Sequence, residues 1–142
     1  MLYFDTSAIL PYYRFELSSE AVQSLLNAQR SPVLISHLTE VEFASAVARW
    51  VRMGELTEVQ ANKLLGAFRR DVSAGRFRRC ALESGHFQRA LQWLTARETS
   101  LRTLDALHLA CSQSEDAKLI TNDTALLEAA NQLGVAVTQP GI

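Results

Sequence analysis

Short runs of apolar residues in this chain alternate with longer segments whose apolar residues recur every three or four positions. Short apolar runs are typical of strands buried on both faces, and the longer spacing is typical of amphipathic helices. We therefore predict strands at 2–5, 33–36, 118–121 and 135–137, with a less distinct edge strand within 76–82. We predict helices just after residue 5 and at 19–28, 38–53, 57–72, 84–96, 104–112 and 123–132. Strands that alternate with helices indicate an α/β fold with a parallel sheet covered on both faces.

For two of the helices the sequence also predicts a capping box or a buried face. The segment that begins at Thr57 has the spacing of a capping box, with Gln60 three residues later. In the helix predicted at 84–96, helical spacing places four apolar residues on one face, which we expect to be buried: Phe87, Ala90, Leu91 and Leu94.

Length and composition restrict the class of protein. The chain has 142 residues, enough for a buried core, so we expect a single domain spanning 1–142. Its net charge of −1 provides no overall attraction to nucleic acid or anionic membranes, so any such contact has to be local. The two cysteines, Cys80 and Cys111, lack the spacing of a zinc knuckle or a disulfide scaffold. Without a signal peptide or a membrane-spanning run, we expect a cytoplasmic protein with no membrane partner.

Four acidic residues lie where a short apolar run gives way to a helix, or just inside that helix: Asp5, Glu42, Asp105 and Asp123. In a parallel sheet the junctions from strand to helix share the carboxyl edge of the strands, where ligands bind. Carboxylates gathered in one pocket repel each other strongly unless a cation neutralises them. The pattern therefore predicts a divalent-metal site built from distant parts of the chain.

Each acid taken singly also has a structural explanation. The three aspartates could be helix N-caps, and Thr39-x-x-Glu42 has the spacing of a capping box. Serine, threonine or asparagine would cap a helix equally well, however, so capping alone does not explain an acid at every one of these positions. Helical spacing also leaves open whether Glu40 or Glu42 faces the pocket.

Four sequence blocks occur in the order found in PIN-domain ribonucleases. The blocks are YFDTSAIL from Tyr3, ISHLTEVEF from Ile35, LRTLDALHLA from Leu101 and LITND from Leu119. Essentially the full length resembles this family, and most closely the VapC-type toxins of bacterial and archaeal toxin–antitoxin pairs. The resemblance implies a PIN-like three-layer sandwich, in which a five-stranded, mostly parallel sheet is flanked by helices.

The resemblance also assigns roles to individual residues. It implies a catalytic quartet of Asp5, Glu42, Asp105 and Asp123, with the three aspartates as metal ligands, and it selects Glu42 over Glu40. It implies that the hydroxyls of Ser7 and Thr121 orient a ligand or a water molecule. Three residues before Asp105, Arg102 is a candidate for contact with a substrate phosphate.

The activity implied by the resemblance is Mg²⁺- or Mn²⁺-dependent endonucleolytic cleavage of RNA by a metal-activated water. The implied partners are an RNA substrate, a VapB-type antitoxin and a second copy of the chain. His108 is expected to be a buried, hydrogen-bonded histidine. The cluster of Arg76, Arg78 and Arg79 is either a solvated edge strand or a strip that contacts RNA.

Three other classes of protein share parts of the pattern. A haloacid-dehalogenase-like phosphatase also has an aspartate after its first strand, but it needs a second acid two residues later, where this chain has Ser7. A receiver-like domain needs a late lysine at the end of a strand, whereas Lys118 begins one. A catalytically silent PIN-like module that binds RNA or protein would not need all four acids.

Overall fold

The computed structural model describes residues 1–141 and contains a five-stranded sheet with the strand order β3-β2-β1-β4-β5. Every neighbouring pair of strands is parallel. The strands are β1 (Leu2–Phe4), β2 (Val33–Ser36), β3 (Phe77–Cys80), β4 (Lys118–Ile120) and β5 (Val137–Thr138). The helices are α1 (Thr6–Tyr13), α2 (Ser19–Asn27), α3 (His37–Arg52), α4 (Glu58–Ser73), α5 (Ser84–Ala96), α6 (Thr103–Ser114) and α7 (Thr124–Gln132). The predicted α/β class and five-stranded sheet are confirmed.

The central strand β1 contributes to a hydrophobic core on each face of the sheet. Successive side chains of a strand point to opposite faces. Phe4 packs with Ile35 in one core, and Tyr3 packs with Leu34 in the other. All four side chains have no exposed surface, which explains why β1 and β2 are continuous apolar runs in the sequence.

Most helix boundaries lie within a residue or two of the predicted positions, but the start of α3 changes one interpretation. Ser36 is the N-cap, and its backbone N–H donates to Thr39 Oγ1 at 3.2 Å. Thr39 is therefore the third residue of the helix, which excludes the alternative explanation that Thr39 and Glu42 form a capping box. The capping box of Thr57 and Gln60 is confirmed. No helix within residues 1–141 is both long enough and apolar enough to cross a membrane.

The apolar stripe predicted for α5 is only partly buried. Ala90 is 4% exposed, whereas Phe87 is 52% and Leu91 is 65% exposed. Leu94 is partly buried against a small core cluster that includes Ala90 and Leu107 of α6. Among residues 1–141, α5 packs mainly on α6, and the small side chain of Ala90 lies at that contact. The prediction for Phe87 and Leu91 was wrong because no further layer of the fold covers them.

Candidate active site

The predicted acids lie close enough for their charges to interact. Burial raises the pKa of Asp105 to about 6, and the negative charges of Asp123, Asp5 and Glu42 contribute in the same direction, while His108 opposes them. Asp5 follows β1, Asp123 follows β4, and Glu42 belongs to the helix that follows β2. The carboxyl edge of the parallel sheet therefore brings together residues that are up to 118 positions apart in the sequence.

Asp5 is the most enclosed acid, with only 4% of its surface exposed. Its Oδ1 accepts hydrogen bonds from Ser7 Oγ at 2.7 Å and from the backbone N–H of Ala8 at 3.0 Å. Its Oδ2 accepts one from Thr121 Oγ1 at 2.6 Å. Burial raises the pKa of Asp5, and the charge of His108 and these hydrogen bonds offset only part of that effect.

The hydroxyls of Ser7 and Thr121 hold Asp5 in a defined orientation. Ser7 Oγ accepts from the backbone N–H of Asn122 at 2.9 Å, and Thr121 Oγ1 accepts from that of Asp123 at 3.0 Å. Each hydroxyl can therefore donate its one hydrogen to Asp5. These contacts join the end of β1 to the loop between β4 and α7.

Asp123 and Asp5 cap helices, as the structural explanation predicts, but Asp105 does not. Asp123 Oδ1 accepts from the backbone N–H groups of Ala125 at 2.9 Å and Leu126 at 3.2 Å, at the N-terminus of α7. The N-cap of α6 is Arg102, and Asp105 lies in the first turn. A capping carboxylate uses one oxygen for the helix and keeps the other, so capping and ligand binding are compatible.

Glu42 is held by two side chains that the sequence analysis did not connect to it. Its Oε1 accepts from Thr6 Oγ1 at 2.7 Å and also forms a hydrogen bond with Nε2 of His108. The Nδ1 of His108 lies 2.7 Å from the hydroxyl oxygen of Tyr3. Partial burial would raise the pKa of Glu42, but the hydrogen bond and charge of His108, together with Thr6, outweigh it and lower that pKa.

These contacts fix a hydrogen on Nε2 of His108. Glu42 is ionised at neutral pH because its pKa is lowered, and an ionised carboxylate can only accept hydrogen bonds. The hydroxyl of Tyr3 can donate to an unprotonated Nδ1 or accept from a protonated one, so it satisfies the ring in either state. His108 is 2% exposed, which confirms the expectation of a buried, hydrogen-bonded histidine.

Tyr3→Phe is expected to lower the free energy of unfolding by about 1–3 kcal/mol, because it leaves Nδ1 of the buried His108 without its partner. Urea denaturation followed by circular dichroism measures the change. Tyr12→Phe is the matched control, because the same hydroxyl is removed from a partly buried ring of α1 with no role in this network. Equal stability of the Tyr3→Phe variant and the parent would contradict the hydrogen bond.

Glu40 and the predicted arginines lie outside this network. Glu40 Oε1 pairs with Arg79 at 3.2 Å, so Glu42 and not Glu40 belongs to the acidic site.

Arg78 pairs with Glu115 at 3.4 Å. Arg76 donates to Asn27 at 3.0 Å, and its guanidinium lies 4.9 Å from the ring centroid of Tyr12. Arg102 is exposed at the start of α6. Two arginines of the cluster at 76–79, Arg78 and Arg79, therefore lie on the edge strand β3 and pair with acids.

The acids are neighbours but do not form a closed cage. Within residues 1–141, no group of three or more His, Cys, Asp or Glu side chains is arranged to hold a metal ion as it stands. Mg²⁺ commonly binds through one or two carboxylates and keeps several waters, so a complete protein cage is not required for it. The site offers only oxygen ligands, apart from His108, whose nitrogens both face other side chains.

Comparison with known proteins identifies the class to which this fold and site belong. Residues 2–132 match the family model of the PIN domain. Ribonuclease VapC35 of Mycobacterium tuberculosis (strain CDC 1551 / Oshkosh) is 31% identical over an alignment of 147 positions, gaps included, which covers 99% of this chain and 98% of that protein. The chain therefore belongs to the PIN-domain family and, within it, to the VapC-type ribonucleases.

Several solved structures share this fold. The crystal structure of FitAcB from Neisseria gonorrhoeae has a TM-score of 0.77 and 22% identity, and the match covers 99% of this chain and 98% of that one. A toxin–antitoxin complex from Klebsiella pneumoniae has a TM-score of 0.71 and 20% identity, with the same coverage. The Mycobacterium tuberculosis toxin VapC20, which cleaves the sarcin–ricin loop, has a TM-score of 0.69 and 16% identity, covering 91% and 95%.

Proposed function

We propose that this chain is a divalent-metal-dependent endoribonuclease and the toxin of a toxin–antitoxin pair. The observation that carries the proposal is the group of acids around Asp105 at the carboxyl edge of the sheet, in a chain that belongs to the VapC-type ribonucleases. The raised pKa of Asp105 reflects both its burial and repulsion that a bound cation would relieve.

The oxygens of the acidic site suit Mg²⁺ or Mn²⁺. Oδ1 of Asp5 already accepts two hydrogen bonds, whereas its Oδ2 accepts one and keeps a lone pair. The hydrogen bonds of Glu42 and Asp123 fall on one oxygen of each side chain, Oε1 and Oδ1. Among the described residues, Asp105 makes no side-chain hydrogen bond. Asp5, Asp105 and Asp123 would hold the ion. Glu42 would coordinate it directly or through a water molecule.

A bound divalent cation would supply a water of lowered pKa and neutralise charge on the scissile phosphate. The protein's own residues set the geometry for that chemistry. Ser7 and Thr121 hold the carboxylate of Asp5, and Thr6 and His108 hold that of Glu42. Supports of this kind prevent the ligand carboxylates from rotating away from the ion. No nucleophilic side chain is needed when water attacks the phosphate.

The partners of this chain follow from its relatives. The similar structures include a toxin–antitoxin complex from Klebsiella pneumoniae and a DNA-bound VapBC complex from Salmonella typhimurium. We infer a VapB-type antitoxin as the protein partner, RNA as the substrate, a homodimer as the assembly and the cytoplasm as the compartment. A phosphatase of the haloacid-dehalogenase type is disfavoured, because Ser7 occupies the position of its second acid and donates to Asp5.

Incubation of the purified chain with total RNA tests the proposal. With Mn²⁺ or Mg²⁺ we expect endonucleolytic fragments with 5′-phosphate ends, and with excess EDTA we expect none, because the acids alone do not activate water. Re-addition of Mn²⁺ in excess over the chelator is expected to restore cleavage, which excludes damage by EDTA. Cleavage that continues in EDTA would contradict the metal dependence, and intact RNA under every condition would contradict the nuclease assignment.

A further inference from the structure

A cleft of about 360 Å³ lies beside the acidic site and extends it along α3. At one end it is lined by Glu42 together with Thr6 and Ser7, which hold the acidic side chains. Its wall also includes Arg49 and Arg52 of α3. The cleft thus connects the acids to two arginines that the sequence analysis did not single out.

The arginines share a helix face with Glu42. Positions 42, 45, 49 and 52 recur every three or four residues, and all four line the cleft. With an axial rise of 1.5 Å per residue, Arg49 lies about 10 Å and Arg52 about 15 Å along α3 from Glu42. A polyanionic strand bound at the acids could therefore follow α3 past both guanidinium groups.

Arg49 and Arg52 are exposed, and within residues 1–141 no carboxylate pairs with either of them. Arg14, Arg78 and Arg79, in contrast, each pair with a glutamate. A position in the last turn of α3 is favourable for a cation, but the helix dipole accounts for only a few tenths of a kcal/mol up to about 1 kcal/mol. The two guanidinium groups thus remain free to bind anions from solution.

We propose that Arg49 and Arg52 bind backbone phosphates of the RNA strand next to the phosphate that lies at the acids. This inference rests on the proposed nuclease function and adds to it a binding site for the flanking strand. An acidic site in a chain of net charge −1 repels RNA, so local cations are needed to retain the substrate. The planar fork of arginine matches two phosphate oxygens, and a contact to phosphate does not depend on base sequence.

The salt dependence of RNA binding tests this assignment. Fluorescence anisotropy with a labelled single-stranded RNA in EDTA gives the dissociation constant at several salt concentrations, with RNA integrity checked on a gel. Each phosphate contact contributes about −0.7 to the slope of the logarithm of the association constant, the reciprocal of the dissociation constant, against the logarithm of the salt concentration. We expect Arg49→Gln and Arg52→Gln each to flatten the slope by about 0.7, and the double variant by about 1.4.

Arg30→Gln is the matched control, because it removes the same charge from an exposed position before β2, at the opposite edge of the sheet. Its slope should equal that of the parent. Glutamine keeps good helix propensity, and circular dichroism verifies that α3 is intact in each variant. If the slopes of the arginine variants match that of Arg30→Gln, the assignment is overturned.

Two further outcomes separate this proposal from others. If Arg49→Gln and Arg52→Gln weaken the binding of an acidic poly-glutamate peptide but not the binding of RNA, the cleft serves a protein partner and the RNA assignment is overturned. If the slopes flatten as expected while no RNA is cut with Mn²⁺, the phosphate site stands and the nuclease proposal fails. If RNA is cut with Mn²⁺ while the slopes stay unchanged, the nuclease proposal stands and the phosphate site is overturned.

Discussion

Asp5→Asn is expected to lower the rate of RNA cleavage by more than about 100-fold, because loss of residues that merely support a metal ligand already costs 10–100-fold. The amide has nearly the shape of the carboxylate but no negative charge to hold a cation. It also has one oxygen instead of two, whereas Asp5 accepts hydrogen bonds at both oxygens, from Ser7 and Ala8 on one and from Thr121 on the other. One set of donors would face an amide N–H₂ group.

Cleavage of a labelled RNA with Mn²⁺ measures this effect, and growth after induction in bacteria provides a second readout. Glu40→Gln is the matched control, because it makes the same change at an acid that pairs with Arg79 outside the site. The control should cleave RNA within about twofold of the parent, as expected for a surface substitution. If the Asp5→Asn variant arrests growth as strongly as the parent, the assignment of the site is wrong.

Asp105→Asn is expected to change activity and stability in opposite directions. The pKa of Asp105 is about 6 in the folded chain, above the ordinary value of about 3.9 that applies when the chain is unfolded. Its protonated form is therefore favoured by folding, and the resulting loss of stability develops as the pH rises from about 4 to about 6 and is complete above that. Asparagine removes that destabilisation. Under the proposed function it also removes a metal ligand, so we expect more than about tenfold loss of cleavage.

The size of the stability gain follows from the shift in pKa. The difference between a pKa of about 6 and the ordinary pKa of about 3.9 corresponds to about 2.8 kcal/mol, and solvent screening of this partly exposed side chain reduces the expected gain to about 1 kcal/mol at pH 7.5. At pH 3, where Asp105 is largely protonated in both the folded and the unfolded chain, the gain should be near zero. Urea denaturation in EDTA at both pH values measures the difference between variant and parent. An equal difference at the two pH values would show that the charge of Asp105 is not its source.

Mn²⁺ should counteract this difference in stability at pH 7.5. A ligand that binds only the folded state stabilises it by mass action, and the parent has the fuller set of carboxylates. We therefore expect Mn²⁺ to raise the melting temperature of the parent more than that of Asp105→Asn. An equal increase in both proteins would exclude Asp105 as a ligand.

Much of the fold was predictable because a strand that is buried on both faces is apolar at consecutive positions. β1 and β2 read as apolar runs since their residues enter a core on each side of the sheet. The periodicity of α5 was misleading for a related reason. Periodicity shows which face of a helix is apolar but not how much of that face another layer covers, and so Phe87 and Leu91 were predicted to be buried.

Sequence reasoning located the acids, and the family resemblance pointed to Ser7 and Thr121, but neither identified the side chains that hold Glu42. The parallel topology alone brings Asp5 and Asp123 to one edge of the sheet, so their positions followed from the order of strands. The link from Tyr3 through His108 to Glu42 depends on how α6 packs on the sheet, which no local pattern records. Arg49 was also missed, although its spacing from Glu42 along α3 was visible in the sequence.

The pairing of β1 with β4 has a consequence during protein synthesis. Asp5 is made early, but the hydroxyl that fixes its Oδ2 belongs to Thr121, and Asp123 follows later still. A polypeptide released before these residues are translated lacks the strand that completes the centre of the sheet. Under the proposed function, prematurely terminated products would therefore be harmless to the RNA of the cell that makes them.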